Sequence, residues 1–333
     1  MRKSLQERCE AQIRNEAALR KGRLFEFESV LKLGAMMYVN AGREVDVERL
    51  KECKRILKDA VGMFSNFRGN MQYLVQIKMA LSDDPNEYIR NVLDVYQRLK
   101  QNIILPGEMV AMAATTIYEN CPAGERDAVV EKTREAYAKI KSQHRFLTGE
   151  EDLALVALMV MTGIDPDQAA RKAEELYVML KEHYLPGSDT PQSVAMVLAL
   201  SEKPAEQKVR DFFGLYEACK AAGHATGKNE TMTIYATYAD TNASRATIVD
   251  EIGEVDLWLK KQKGYGAFGV GSSVRRLFAA TFVLEDLQGA SEAAMTTGVT
   301  SAVAEAVVEE MLMILISIIV TSAIMSASAN SHH

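Results

Sequence analysis

A five-residue echo recurs along the chain. It appears as Tyr96-Gln97-Arg98-Leu99-Lys100, Tyr137-Ala138-Lys139-Ile140-Lys141, Tyr177-Val178-Met179-Leu180-Lys181, Tyr216-Glu217-Ala218-Cys219-Lys220 and, with the tyrosine lost, Asp256-Leu257-Trp258-Leu259-Lys260. The first positions stand 41, 40, 39 and 40 residues apart. A period held over five copies is how helical arrays show themselves in sequence, because each unit buries its apolar face against the next. Between Phe64 and about Leu287 every unit follows one plan. A glycine-bearing loop (Gly69, Gly107, Gly149, Gly187, Gly227) precedes an apolar helix, a short turn and a charged helix that ends in the echo.

The turns carry their own evidence. Asp84-Pro85-Asn86-Glu87 and Asp165-Pro166-Asp167-Gln168 each place an acceptor at N-cap, proline at N1 and Glu or Gln at N3. Cys121-Pro122 and Lys203-Pro204 hold the same place in their units. The two helices of a unit differ: Leu153 to Met161 is apolar all round, whereas Ala169 to His183 carries charge on one face. The first kind belongs in an inner layer and the second faces solvent. No stretch alternates with period two, so no sheet is expected.

Residues 1–22 line up Leu5, Cys9, Ile13 and Ala17 on one helical stripe and read as an N-terminal amphipathic helix. Residues 23–288 read as the hairpin domain, and 289–333 as an apolar C-terminal segment. The expectation is an all-α chain of about six hairpins, stacked as a curved α-solenoid or a near-closed α/α toroid, with an added helix at each end.

Charge and cysteine usage narrow the class. A net charge of −6 and a pI near 5.6 argue against a general affinity for nucleic acid. Cys9, Cys53, Cys121 and Cys219 form no Cys-x-x-Cys pair, so no zinc cluster or dithiol motif is written. The first residues have no apolar core of a signal peptide, which points to the cytoplasm. The far end carries the reservation. From Met311 to Asn330 there is no charged residue, and about 20 apolar residues are what a bilayer requires. Ser317, Thr321 and Ser322 dilute the run and no Lys or Arg flanks it. Two readings stay open: a buried packing or dimerisation helix within 303–325, and a membrane anchor through Met311 to Met325.

Four features are candidate sites. His144, His183 and His224 recur 39 and 41 residues apart and Glu150, Glu151 and Asp152 gather at a helix start, so the three histidines with Glu151 and Asp152 outline a polar rim beside the glycine loops. Helix-end histidines and first-turn acids are equally what the helix dipole favours with no ligand. The lysines of the echo form a second ladder with the same plain explanation. Gly264-Tyr265-Gly266-Ala267-Phe268-Gly269 matches G-x-G-x-x-G, but it follows a helical stretch, so it reads as a loop between units. No catalytic constellation, metal set or cofactor motif is expected.

Phe67-Arg68, Asp84-Pro85, Tyr96 to Lys100, His144-Arg145-Phe146-Leu147-Thr148 followed by Glu151-Asp152, and the Ala-rich apolar end together resemble the bacterial domain of unknown function family numbered 4003. That resemblance implies a bacterial, mainly cytoplasmic helical protein and brings no activity, substrate or catalytic residue with it. The expected function is a non-enzymatic scaffold presenting its apolar helices to a protein or peptide. The alternatives are an enzyme or small-ligand binder with a polar pocket at the rim, and a tail-anchored protein.

Overall fold

A computed structural model describes residues 1–22, 28–63, 65–101, 103, 106–143, 149–183, 190–227, 230–266 and 269–292. The described residues are helical and contain no strand. In chain order the helices are α1 (Lys3–Gly22), α2 (Glu28–Asn40), α3 (Val47–Ala60), α4 (Asn70–Leu81), α5 (Pro85–Leu99), α6 (Glu108–Asn120), α7 (Arg126–Gln143) and α8 (Leu153–Met161). They continue as α9 (Pro166–Lys181), α10 (Thr190–Ala199), α11 (Ala205–Ala221), α12 (Arg245–Lys260) and α13 (Gly271–Glu292). Two 3-10 helices complete the set, Glu150–Asp152 and Glu230–Tyr238.

Local chemistry starts these helices where the turn signals stand. The Asp84 carboxylate accepts from the N–H groups of Asn86 at 2.8 Å and Glu87 at 3.1 Å, and Asp165 accepts from Gln168 N–H at 2.8 Å. Asp46 and Ser244 cap α3 and α12 in the same way. Pro122 departs from the pattern: it sits in a turn, and α7 begins only at Arg126. After Gly227, where the repeating plan places an apolar α-helix, Glu230–Tyr238 forms a 3-10 helix. Its β-branched Thr231, Thr233, Ile234 and Thr237 crowd an α turn, and the Thr237 hydroxyl donates to the Ile234 carbonyl three residues back at 2.7 Å.

Packing sorts the helices into two layers. In one, α2, α4, α6, α8, α10, the 3-10 helix 230–238 and α13 touch in that order. In the other, α1, α3, α5, α7, α9, α11 and α12 touch in turn, and each also packs on its neighbours in the first layer. The first layer is buried on every side: Val30–Val39, Leu74–Ala80, Val110–Ile117, Leu153–Val160, Val194–Ala199, Thr231–Ala236 and Leu277–Asp286 are unbroken runs of buried residues. Any run longer than one turn of 3.6 residues points in every direction round a helix. The second layer buries only a stripe, as Leu50, Cys53 and Leu57 do on α3. The Tyr96, Tyr137, Tyr177 and Tyr216 rings occupy matching places near the ends of α5, α7, α9 and α11. Each has the lysine four residues on at 5.2 to 5.9 Å from its ring centre. Finally, α1 packs on α13 as well as on α2, so the two ends of the described chain meet.

Candidate functional site

Buried charge concentrates where those ends meet. The Arg2 guanidinium donates to the two Glu251 oxygens at 2.5 and 2.8 Å and lies 3.0 Å from Asp286. The Ser4 hydroxyl donates to Asp286 at 3.2 Å, Arg8 to Glu285 at 2.9 Å, and the Asn40 amide to the same Glu285. The Met1 ammonium pairs with Glu254. Glu251, Glu285 and Asp286 are all buried, so each carboxylate needs these donors to offset its lost hydration.

A second cluster lies deeper. Lys32 has no exposed surface; its ammonium is 2.7 Å from Glu16 and 3.7 Å from the centre of the Tyr265 ring. The Tyr265 hydroxyl donates to Glu16 at 2.6 Å, and the Gln12 amide donates to the Lys32 carbonyl at 2.8 Å. Burial holds Lys32 below its ordinary pKa against the opposing pull of Glu16, and burial drives the Tyr265 phenol well above its own.

The G-x-G-x-x-G loop between α12 and α13 delivers Tyr265 into this cluster. Gly264 takes φ +81°, the Val270 N–H returns to the Gly264 carbonyl at 3.0 Å, and a Cβ on Gly269 would collide with that carbonyl. The glycine spacing therefore serves a tight turn that aims one tyrosine, and no strand precedes it. At the foot of the loop Arg275 donates to Asp256 at 2.5 Å and to the Tyr265 carbonyl at 3.1 Å. His224 Nδ1 is 2.9 Å from the other Asp256 oxygen. Burial favours the neutral carboxyl at Asp256, but the hydrogen bonds from Arg275 and His224 outweigh it and lower its pKa.

Residues 18–323 match the family described as Protein of unknown function (DUF4003). The chain belongs to this family. No curated protein and no solved structure matches it.

In this DUF4003 chain Asp152, His183 and His224 of the expected rim each meet different neighbours. His144 and the side chain of Glu151 lie outside the described residues. Asp152 is buried and accepts from the Gly149 N–H at 3.2 Å. Glu150, another of the acids at this helix start, accepts from the Gly107 N–H at 2.6 Å. The Ser273 hydroxyl accepts from Gly227 N–H at 3.1 Å in the same manner, so one role of the recurring glycines is to let the next unit's side chain reach their backbone. His183 is exposed, with its ring centre 4.5 Å from that of Phe213. His224 lies against Gly253 of α12 and serves Asp256. Among the described residues no group of three or more His, Cys, Asp or Glu is placed to hold a metal.

A cavity of about 220 Å³ opens at the opposite end of the helices from these loops, lined by Leu198, Phe212, Tyr235, Tyr238, Arg245 and Ile248 among others. The end-to-end network was missed in the sequence, although one signal was there. Lys32 interrupts Val30-Leu31-Lys32-Leu33, and Glu285-Asp286 interrupt the apolar Phe278 to Leu287. A charge inside a helix too apolar to face water has to find a buried partner.

Proposed function

We propose that this protein is a non-enzymatic helical scaffold, its two layers closed as a near-complete α/α toroid, which holds an apolar helical segment of protein against its buried layer. The observation that carries the reading is the burial of the first layer. Lateral neighbours and the second layer account for the flanks and the outer side of each helix, yet the remaining side is apolar and shielded too. The closed arrangement draws support from α1 lying on α13 and from the hydrogen bonds that join positions about 250 residues apart.

Against an enzyme stands the use made of the acids beside the glycine loops: Glu150 and Asp152 accept from backbone N–H groups. The cavity of about 220 Å³ lies away from that rim and falls below the roughly 300–1,000 Å³ of small-molecule sites. We place the protein in the cytoplasm, where its four free, buried thiols fit a reducing compartment. Among the described residues no single helix is long and apolar enough to cross a membrane, and Met311 to Met325 lies outside them.

The test is photo-cross-linking in cells that incorporate a diazirine analogue of methionine. Met36, Met112, Met159 and Met196 all sit in the buried layer. Cross-links from them to a polypeptide segment other than the helices flanking them are expected. Cross-links to flanking helices alone would remove the scaffold reading.

A further inference from the structure

We infer that the segment held by the buried layer is the chain's own apolar run, 303–325, seated on the axis of the toroid as a central helix. The inference rests on the toroidal scaffold reading and names its occupant.

Geometry sets the size of the opening. Among the described residues seven elements make up the buried layer, and packed helices lie 8–10 Å apart. Closed into the proposed ring, seven axes at that spacing fall on a circle of radius roughly 9–11.5 Å, and subtracting about 5 Å for the helix radius leaves an opening roughly 8–13 Å across. An α-helix with its side chains is about 10–12 Å wide, so the opening takes one helix. It does not take two.

Length and chemistry agree. The buried-layer α-helices before α13 have 9 to 13 residues, about 14–20 Å of height at 1.5 Å per residue. Met311 to Val320, the densest part of the run, would occupy about 15 Å as a helix. Its charges, Glu305, Glu309 and Glu310, precede that part and can remain outside. The last described residue is Glu292. The ten residues 293–302 can span at most about 34 Å, far more than the roughly 11 Å from wall to axis.

Two polar groups of the buried layer point the same way. The Gln192 amide and the Thr233 hydroxyl, 1% and 2% exposed, find no hydrogen-bond partner among the described residues. Ser317, Thr321 and Ser322 would bring hydroxyls into an otherwise apolar centre. The family match also runs to residue 323, through most of this segment, as expected of an integral part of the domain rather than an appended anchor.

The experiment uses purified full-length protein carrying the methionine diazirine, with light and heavy isotopic forms expressed separately, mixed, unfolded and refolded together, and then irradiated. Expected are cross-links between peptides containing Met311, Met313 or Met325 and those containing Met36, Met112, Met159 or Met196, all within chains of one isotope. Mixed-isotope pairs would mean that a second copy covers the layer. Links to another protein, or to membrane lipid in the tail, would mean an external occupant. Each of those results overturns self-occupancy while leaving the scaffold intact. Cross-links to flanking helices alone would remove both readings. Ile316→Glu, which puts a charge at mid-segment, should cut the cross-link yield several-fold; an unchanged yield overturns the inference.

Discussion

Replacing Lys32 with methionine tests whether buried charge holds the ends of the chain together. Methionine keeps nearly the same volume, so little cavity is made. What changes is Glu16, which loses the ammonium 2.7 Å away and keeps Tyr265 and Gln12 as donors in a site 4% exposed. Glu28, 3.9 Å from Lys32 on the exposed side, is no substitute because it too is an acid. Removing one partner of a buried pair costs about 3–5 kcal/mol. At the lower bound of 3 kcal/mol, with 1.36 kcal/mol per decade, the equilibrium for opening this contact rises about 150-fold. Hydrogen exchange read on peptides of α1 and of the 264–270 loop reports that local opening. Adding Glu16→Gln removes the stranded charge while leaving an acceptor for Tyr265, so the double variant should recover most of the loss. The coupling between the two sites should therefore exceed about 2 kcal/mol. Single variants that each shift opening by under 1 kcal/mol, or a double variant equal to the sum of the singles, would refute the reasoning.

Gly269→Ala should cost at least about 2 kcal/mol in urea unfolding, because the new Cβ meets the Gly264 carbonyl and displaces Tyr265. Gly124→Ala, with open space round it, should stay within about 0.5 kcal/mol. Asp256 has a folded pKa below its ordinary 3.8. The unfolded chain therefore binds the extra proton first, and the stabilisation is complete above about pH 4 and lost as pH falls through the lowered folded value. Asp256→Asn should accordingly be less stable than the parent by about 3 kcal/mol at pH 7, where Arg275 loses its buried partner, with the gap narrowing at pH 3. A gap that stays constant with pH would count against this. Burial raises the thiol of Cys9 to about 12 and those of Cys53 and Cys219 to about 11. A disulfide reagent at pH 8 should leave these three cysteines of the native protein unmodified and titrate them only after denaturation.

The helices and their starts were legible along the chain because their causes are local. Asp84 caps α5 through N–H groups two and three residues away, and the tyrosine-lysine echo is a contact four residues long. Apolar runs such as Leu153 to Val160 likewise announced burial through their lack of any polar face. The rim of histidines and acids was less legible, since helix-end position alone accounts for those residue types and says nothing of what they touch. Asp152 and His224 turned out to serve a backbone N–H and a buried aspartate.

What the amino-acid order determined by itself was therefore the helical class, the forty-residue beat and which helices would be buried, each a matter of contacts within a few turns. Only the tertiary structure decided that Arg2 would meet Glu251 and Glu16 would meet Tyr265, each pair 249 residues apart. Those partnerships depend on where all the intervening helices carry the two ends in space, and no single stretch of sequence carries that placement.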